Sequence, residues 1–322
     1  MTPAGPLMQN ARVTANEAVC REHLRLTLAV PCFPDVRPGQ FVHVCPAHAS
    51  TSAEATAPPA GVAEPNFMLR RAFSIAGLRR IDAGTLLEIL YRVVGRGTRW
   101  LASLRPGNEI SVLGPAGNTF PLVAGKGRAW LAAGGVGLPP LLWLAETLRA
   151  AGKNVVAFCG ARSADLLPLG VNPEGTPAAD AREARLCVRE LAAHGVPAVI
   201  STDDGSLGYR GQVGEALATY AAGDATPATD LVVYACGPEP MLRAVARHCE
   251  RRGVECYVCM ERAMACGIGT CQSCVVPVGD PADPEGWRYA LCCTEGPVFA
   301  AGDVLWDDPQ RQQRTPPTCC GT

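Results

Sequence analysis

The stretch "ACGIGTCQSC" near the end of the chain holds three cysteines interleaved with two glycines. Cys266, Cys271 and Cys274 follow the spacing C-x4-C-x2-C. Thiolates bind iron tightly, and three thiolates at this spacing with a fourth further along the chain can hold a [2Fe–2S] cluster. Gly267 and Gly269 let the backbone wrap closely around such a cluster and direct N–H groups toward it. The spacing therefore predicts an iron–sulfur site whose fourth ligand lies downstream.

The downstream stretch "YALCCTEGPVF" offers two candidates for the fourth ligand, Cys292 and Cys293. The residues alone leave other interpretations open, namely buried structural thiols or a zinc site. Structural zinc usually shows two C-x2-C knuckles, and only half of that pattern is present here. Cys256 and Cys259 form another C-x2-C, but they stand in "VECYVCM", a predicted strand on which positions i and i+3 face opposite sides. We therefore do not expect that second pair to bind metal.

Two glycine-containing turns further upstream could approach a nucleotide. In "AAGGVGLPP", Gly134, Gly135 and Gly137 follow a predicted strand and open a helix, whose N-terminus favours a phosphate. In "YACGPEPML", Cys236 and Gly237 end another predicted strand, where ligands bind in open α/β sheets. A plain strand–helix turn and a buried thiol are the alternatives that these residues leave open.

A third pair of segments could bind a ring system with a diphosphate. In "YRVVGRGT", Gly97 would let a loop approach phosphates and Thr98 would supply a hydroxyl. Phe73 and Ser74 in "LRRAFSI", together with Tyr91, could form a partly aromatic wall with a few polar donors. Simple packing within a barrel explains the same residues equally well. Flavin binding and barrel packing both stay open at this point.

The elements that must position these residues change character along the chain. Up to about residue 125, short apolar runs alternate with Pro, Gly and Asp turn signals, which favours a small antiparallel barrel or sandwich over residues 1–125. The Ala-, Ser- and Pro-rich stretch 47–65 has no periodicity and is predicted to be a loop insertion. The predicted strands of this segment lie at 24–30, 39–45, 85–94 and 108–115.

Strands then alternate with helices over residues 126–253, which predicts a doubly wound α/β domain with a parallel sheet. Residues 254–322 lose that rhythm and form a third, small domain that carries the cysteines. The predicted strands of the middle domain lie at 128–133, 154–161, 196–202 and 230–237, and its predicted helices at 141–152, 181–194 and 239–252.

The bulk composition limits the classes of function. The 322 residues are 48% hydrophobic and 18% charged with a net charge of −1, which gives no electrostatic footprint for nucleic acid or an anionic membrane. No apolar run reaches the roughly 18 to 20 residues that span a bilayer, and the N-terminus lacks the apolar core of a secretory signal. We therefore expect a cytoplasmic protein whose 16 cysteines are kept reduced. Neither a zinc-hydrolase motif nor a G-x-S-x-G elbow occurs, so no catalytic side chain is predicted.

Together these segments resemble the ferredoxin–NAD(P)+ reductase superfamily and, more closely, the electron-transfer subunits of dihydroorotate dehydrogenase B. The resemblance covers about residues 10–305 and lies in an ordered set of motifs. In chain order they are "RRAFSI", "YRVVGRGT", "VLGPAGNTF", "GGVGLPPLL", "TDDGSLGYRG", "ACGPEPML", "MACGIGTCQSC" and "CCTEGPVF". It implies an FAD-binding barrel, an NAD-binding α/β domain and a C-terminal [2Fe–2S] domain.

The resemblance also assigns roles to individual residues. Ala72 stands where the family commonly has proline. The implied cluster ligands are Cys266, Cys271, Cys274 and Cys293, the last because Cys293 is followed by Thr-Glu-Gly-Pro-Val-Phe as in the family. The implied FAD-binding residues are Arg71, Ala72, Phe73, Ser74, Leu90, Tyr91, Arg92, Gly97 and Thr98.

The function implied is a relay in which FAD connects a one-electron cluster to the two-electron chemistry of NAD. Electrons would come from the FMN of a catalytic partner subunit in a heterotetramer that oxidises dihydroorotate for pyrimidine synthesis. The alternatives are a reductase subunit of a hydrogenase, sulfide dehydrogenase or transhydrogenase complex, or a redox sensor without turnover. Arg162 and Ser163 follow the second strand of the α/β domain and could hold a 2′-phosphate, so the choice of NAD over NADP is an expectation from the family.

Overall fold

The computed structural model describes residues 6–46, 69–173 and 175–307. The predicted insertion at 47–65 and the cysteines Cys319 and Cys320 lie outside the described residues. The strands are β1 Leu7–Cys20, β2 His23–Val30, β3 Phe41–Pro46, β4 Arg71–Ile81, β5 Gly84–Arg92, β6 Glu109–Ala116, β7 Arg128–Gly134, β8 Asn154–Ala161, β9 Ala198–Thr202, β10 Tyr209–Arg210, β11 Leu231–Cys236, β12 Glu255–Cys259, β13 Val275–Gly279, β14 Trp287–Leu291 and β15 Val298–Ala300. The α-helices are α1 Arg96–Ser103, α2 Leu138–Ala150, α3 Arg189–Ala192, α4 Val213–Gly223 and α5 Glu239–Arg252.

The first six strands close into an antiparallel barrel in the order β1-β2-β5-β4-β3-β6. Alternate residues such as Leu26, Leu28, Leu87 and Ile89 are fully buried and fill its interior. The predicted barrel is confirmed, but β1 was not among the predicted strands. Its residues are mostly exposed or half-buried, and only Ala11 and Val13 are turned fully into the core, because the strand lies between β2 and β6 at the barrel surface.

The second unit is a sheet in the order β10-β9-β8-β7-β11-β12-β15, in which every neighbouring pair is parallel except β12 with β15. The chain passes from β7 outward to β8 and β9 and then returns to place β11 on the other side of β7. This reversal creates a switch point between β7 and β11, where ligands bind in open α/β sheets. The predicted parallel α/β domain is confirmed.

The helix predicted at 181–194 is wrong over most of its length, since only Arg189–Ala192 is α-helical. Its apolar positions Cys187 and Val188 are fully buried in extended chain. Val188 forms a bridge with Val171, and Arg185 forms another with Ala198 of β9. These tertiary pairings override the helical propensity of the Ala- and Arg-rich sequence.

The third unit begins after β12 and contains the cysteine loop and the antiparallel hairpin β13–β14. The chain then returns as β15 to pair with β12 at the edge of the α/β sheet. Asn118, just after the barrel, ties this return in place. Its amide donates to the carbonyls of Glu295 (2.7 Å) and Val298 (2.8 Å), and its carbonyl accepts from the N–H of Val298 (2.9 Å).

The described residues contain no helix that is long and apolar enough to cross a membrane. The predicted boundaries at residues 125 and 253 stay predictions. The sheet of the α/β unit continues past residue 253 through β12 and β15.

Candidate redox site

A cavity of about 470 Å³ lies between the outer face of the barrel and the switch point of the α/β sheet. The barrel lines it from β3, β4, β5 and the start of α1, and the sheet lines it with Gly137, Cys236 and Pro238. A cavity of this size with apolar walls and a few polar groups fits a ring system such as a flavin. Seven of the residues predicted to contact FAD line this cavity, namely Ala72, Phe73, Ser74, Leu90, Tyr91, Arg92 and Thr98.

Tyr91 and Arg92 direct their polar ends in different ways. The Tyr91 hydroxyl donates to the Asn16 side-chain oxygen at 3.1 Å inside the barrel, and burial raises the pKa of Tyr91 to about 12. Arg92 donates twice to one carboxylate oxygen of Glu22, at 2.6 and 2.9 Å, and this contact lowers the pKa of Glu22. Tyr91 thus packs in the barrel core and also lines the cavity, whereas Glu22 holds Arg92 at the cavity wall.

The two remaining predicted flavin residues, Arg71 and Gly97, lie beside each other in a small adjoining pocket. A Cβ added at Gly97 would lie 3.2 Å from Nε of Arg71, so the guanidinium rests on the first turn of α1. Thr98 fixes that turn, because its hydroxyl oxygen accepts the N–H groups of Val94 (2.9 Å) and Gly95 (3.0 Å). A helix N-terminus beside a guanidinium suits a phosphate.

A second cavity of about 340 Å³ adjoins the first. Gly134 and Gly135 line it together with Arg162 and Asp203. The two cavities share four lining residues, which are Arg92, Val136, Pro238 and Glu261. A nucleotide in the second cavity would therefore meet a ring in the first.

Gly137 sets how closely the turn after β7 approaches the end of β11. A Cβ built at Gly137 would lie 2.1 Å from the carbonyl oxygen of Cys236, so no other residue fits without moving backbone. Gly134 lies against the side chain of Met241, and Gly237 has a φ of +156° with Gly134 N 3.1 Å from its built Cβ. Gly134, Gly137 and the Cys236-Gly237 pair thus meet at the junction of the two cavities, and Gly135 lines the second cavity.

Cys236 is 7% exposed and lines the first cavity beside Cys259. The two residues are in register on parallel strands β11 and β12, and their thiols interact. The hydrogen bond with Cys236, followed by burial, raises the pKa of Cys259. Cys256, by contrast, points away and interacts with Cys249, as expected for positions i and i+3 of a strand.

The cysteine loop presents its sulfurs in two pairs. Sγ of Cys266 accepts the N–H groups of Cys271 (3.3 Å) and Ile268 (3.5 Å), and Sγ of Cys274 accepts the N–H of Cys293 (3.4 Å). The Ser273 hydroxyl, with backbone N–H groups, lowers the pKa of the exposed Cys271 thiol to about 6. Two thiolates on each of two irons is the donor set of a [2Fe–2S] centre. Among the described residues, no three His, Cys, Asp or Glu side chains converge as they would around a single metal ion.

The adjacent thiols of Cys292 and Cys293 occupy different environments. Cys292 is fully buried and donates to the carbonyl of Met260 at 3.3 Å, and burial raises its pKa. Cys293 interacts with Cys274, and burial followed by this contact raises the pKa of Cys293 to about 11. Cys293 thus meets the Cys274 thiol and lies near Cys266, whereas the Cys292 thiol is turned to Met260.

The cysteine loop also reaches the first cavity and the barrel. Met264, two residues before Cys266, lines the cavity. Gly267 adopts a φ of +72° and packs on His43 of β3, since a Cβ at this glycine would lie 2.0 Å from Nε2 of the imidazole. The barrel, the switch point and the cysteine loop therefore meet around one cavity.

Residues 261–305 match the model of the iron–sulfur cluster binding domain of dihydroorotate dehydrogenase B. Over 298 residues, 91% of this chain and 96% of the relative, the chain is 37% identical to a Bacillus caldolyticus protein named dihydroorotate dehydrogenase B (NAD(+)), electron transfer subunit. The chain belongs to this family. It is also 34% identical over 299 residues to the protein of the same name from Lysinibacillus sphaericus, covering 92% of this chain and 98% of the relative. The resemblance drawn from the sequence motifs is confirmed.

Solved structures agree on the fold. A structure that reports flavin-based electron bifurcation by an NADH-dependent reduced ferredoxin-NADP oxidoreductase superposes with a TM-score of 0.70 at 23% identity, covering 94% of this chain and 91% of that one. The ferredoxin reductase of carbazole 1,9a-dioxygenase superposes with a TM-score of 0.57 at 21% identity, over 77% and 67% of the two chains. This chain thus shares the barrel and α/β architecture of these reductase structures.

Several residues of the site were not predicted from the sequence, among them Met264, Val136 and His43. Met264 and Val136 had no signal, because a single apolar residue in a loop does not reveal what it faces. His43 had a weak one: it follows Phe41 by two positions on a predicted strand, so it shares the face of that aromatic residue. A histidine on a strand face next to a predicted binding segment could therefore have been predicted as a site residue.

Proposed function

We propose that this chain is the electron transfer subunit of a dihydroorotate dehydrogenase B that connects dihydroorotate oxidation on a catalytic partner to NAD+. The observation that carries the proposal is the cavity at which the barrel, the switch point and the cysteine loop meet. A protein that joins one-electron and two-electron carriers must bring their sites together, and this cavity does so. We assign the oxidation of dihydroorotate to the catalytic partner, and the transfer of its electrons to this chain.

The residues around the cavity fit FAD, NAD and a [2Fe–2S] cluster. When bound, a flavin exchanges hydride with a nicotinamide and single electrons with an iron–sulfur centre. The barrel face with Ala72, Phe73 and Ser74 would hold the ring of FAD, and Arg71 with the first turn of α1 would hold its phosphates. These assignments follow from position and chemistry in this chain.

The nucleotide cavity would hold NAD at the turn formed by Gly134, Gly135 and Gly137. Gly137 brings this turn against Cys236, so that the nicotinamide end would enter the first cavity beside the thiol. Asp203 lines the nucleotide cavity and suits the two hydroxyls of a ribose better than a 2′-phosphate. Ser163, by contrast, donates to Asp165 at 2.5 Å, which supports NAD rather than NADP.

Cys266, Cys271, Cys274 and Cys293 would ligate the cluster in the two pairs described. The N–H groups of Ile268, Cys271 and Cys293 would stabilise the charge on the sulfurs. Cys271 is exposed, so a partner can approach the loop on this side.

The partner would be an FMN-containing catalytic subunit, with two copies of each chain in a heterotetramer. A cytoplasmic location suits the chain, since its many free thiols need a reducing compartment.

The proposed function can be tested on the purified full chain under anaerobic conditions. Iron, acid-labile sulfide and FAD are quantified, and the visible spectrum is recorded before and after NADH is added. We expect flavin and cluster bands that both bleach with NADH. Addition of the catalytic subunit and dihydroorotate should then produce NADH from NAD+.

Two results would overturn the proposal. If the chain stays colourless after iron–sulfur reconstitution with added FAD, the cysteines bind zinc or are buried structural thiols instead. A chain that holds both groups but supports no dihydroorotate-dependent NAD+ reduction with the catalytic subunit would exclude this partner.

A further inference from the structure

His43 of β3 is a fully buried histidine whose two ring nitrogens have no hydrogen-bond partner among the described residues. Burial, with a smaller contribution from Arg70, lowers the pKa of His43 to about 4, so the ring is neutral. A neutral imidazole carries one N–H donor and one acceptor nitrogen. An unsatisfied buried polar group is destabilising, and native structures rarely leave one without a partner. A group outside the polypeptide is therefore expected to accept the N–H.

The position of the ring indicates which group that is. Nε2 lies against Gly267, the residue that follows Cys266, at 2.0 Å from a Cβ built there. The neighbours of His43 on the barrel face, Phe41 and Ala72, both line the first cavity, but His43 does not. The imidazole thus points at the cysteine loop rather than at the cavity that would hold the flavin.

The sulfurs of this loop already accept N–H groups. The backbone N–H groups of Ile268 and Cys271 both point to Sγ of Cys266. Gly267 leaves space for the imidazole at this corner, and any side chain there would displace it. A donor from the barrel would add to the donors that the loop supplies itself.

We propose that His43 donates its Nε2–H to a sulfur of the cluster, either a bridging sulfide or the thiolate of Cys266. The proposal rests on the proposed function, since it requires the cluster. An N–H···S bond stabilises the more negative, reduced cluster, so it raises the reduction potential. Through this contact the barrel, which would hold FAD, sets the potential of the cluster that exchanges electrons with FAD.

The test is a redox titration of the full chain followed by EPR of the reduced cluster and by flavin absorbance. His43→Phe keeps an aromatic ring without the donor, and His43→Gln places an amide N–H near the position of Nε2. We expect His43→Phe to lower the equilibrium constant for cluster reduction about tenfold, a shift of about 59 mV for one electron. His43→Gln should recover most of the loss, and the flavin potential should not move.

His248→Phe is the matched control. His248 also has an unpartnered Nε2, but it lies on α5 and lines neither cavity. Its replacement should leave the EPR signal and the potential of the cluster unchanged. Pulsed EPR of wild-type protein labelled with ¹⁵N-histidine supplies a readout that does not depend on the stability of a variant, and it should show one imidazole nitrogen coupled to the reduced cluster.

Three results would overturn the role of His43. They are a loaded His43→Phe protein with unchanged potential and EPR signal, a shift of the flavin potential without one of the cluster, and an absence of ¹⁵N coupling in the wild type. A wild-type chain that assembles no cluster would instead overturn the proposed function, and the role of His43 with it.

Discussion

Among single residues, the adjacent cysteines Cys292 and Cys293 give the sharpest contrast. We predict that Cys293→Ser abolishes the [2Fe–2S] absorbance, because it removes the thiol next to Cys274. Cys292→Ser should keep the cluster, since its thiol donates to Met260 on the other side of the chain. Iron and sulfide content and EPR of the two purified variants check this. Cluster loss in Cys292→Ser alone would reverse the assignment.

The two cysteines also show what residue patterns could and could not reveal. The spacing of Cys266, Cys271 and Cys274 predicted the loop, because cluster geometry dictates sequence spacing. It could not choose between adjacent cysteines, which differ only in the direction of their side chains. The family motif favoured Cys293, and the contacts in the structure support the same choice. His43 was missed because its role depends on a contact with a glycine more than 200 residues away in the sequence.

A second prediction at this scale concerns Gly137. Gly137→Ala would place a methyl group 2.1 Å from the backbone oxygen of Cys236 and push the nucleotide turn away from the end of β11. Because displacements of about 1 Å cost catalysis about 100-fold, we expect NADH-dependent flavin reduction to slow by that order. Stopped-flow absorbance measures the rate. Gly223→Ala, at the end of α4 with no atom within 4 Å of the added carbon, is the control and should react at the wild-type rate. An unchanged rate in Gly137→Ala would contradict the proposed position of the nicotinamide.

Among the strands and helices, the hydrophobic pattern predicted strands with one buried and one exposed face. It failed where pairing with a distant segment determines the secondary structure. β2 and β5 have buried alternate positions and were predicted, whereas β1 buries only Ala11 and Val13 and forms because barrel closure supplies partners on both sides. The Ala-rich segment at 181–194 has helical propensity, yet bridges at Arg185 and Val188 keep most of it extended. Local sequence does not record either pairing.

Asn118 provides a test of how the barrel holds the returning strand β15. Asn118→Ala removes three side-chain hydrogen bonds to Glu295 and Val298, and we expect it to lower the free energy of unfolding by about 2 kcal/mol. Denaturant unfolding of the loaded protein measures this change. Asn10→Ala is the control, because its amide makes a single exposed contact of 3.5 Å with Glu109. Equal stabilities of the two variants would show that Asn118 does not tie the units together.

For the whole molecule, the order of barrel, α/β unit and cysteine loop was predictable, because each has its own sequence pattern. These patterns are short strands with turn signals, strands alternating with helices, and cysteines at fixed spacing. Their common cavity was not, since residues from β3 to Pro297 meet there through tertiary packing. The return of β15 to the α/β sheet was not predictable either. Three residues are too short a run to carry a pattern.

The separate origin of the cavity walls leads to a prediction about the whole chain. Most residues of both cavities lie on the barrel and the α/β unit, whereas the cluster thiols lie on the third unit. Cys271→Ser should therefore lose the cluster but keep most of the NADH-dependent reduction of a small artificial acceptor through FAD. Dihydroorotate-dependent NAD+ reduction with the catalytic subunit should be lost. Steady-state assays of both reactions on one preparation check this, and loss of both would show that the units do not act separately.

Because β12 and β15 are neighbours in the sheet, the chain leaves the sheet for the third unit after Cys259 and returns to it at Val298. The pairing of the two strands depends little on the length of chain between them, since closing a longer loop costs only about 0.6 kcal/mol for each doubling of its length. The segment is nevertheless held by the rest of the chain, because Gly267 packs on His43 and Val278 forms a bridge with Val304. A tight turn between Cys259 and Val298 would remove Met260, Glu261, Arg262, Met264 and Pro297 from the first cavity, so the cysteine loop cannot be exchanged without rebuilding one wall of that cavity.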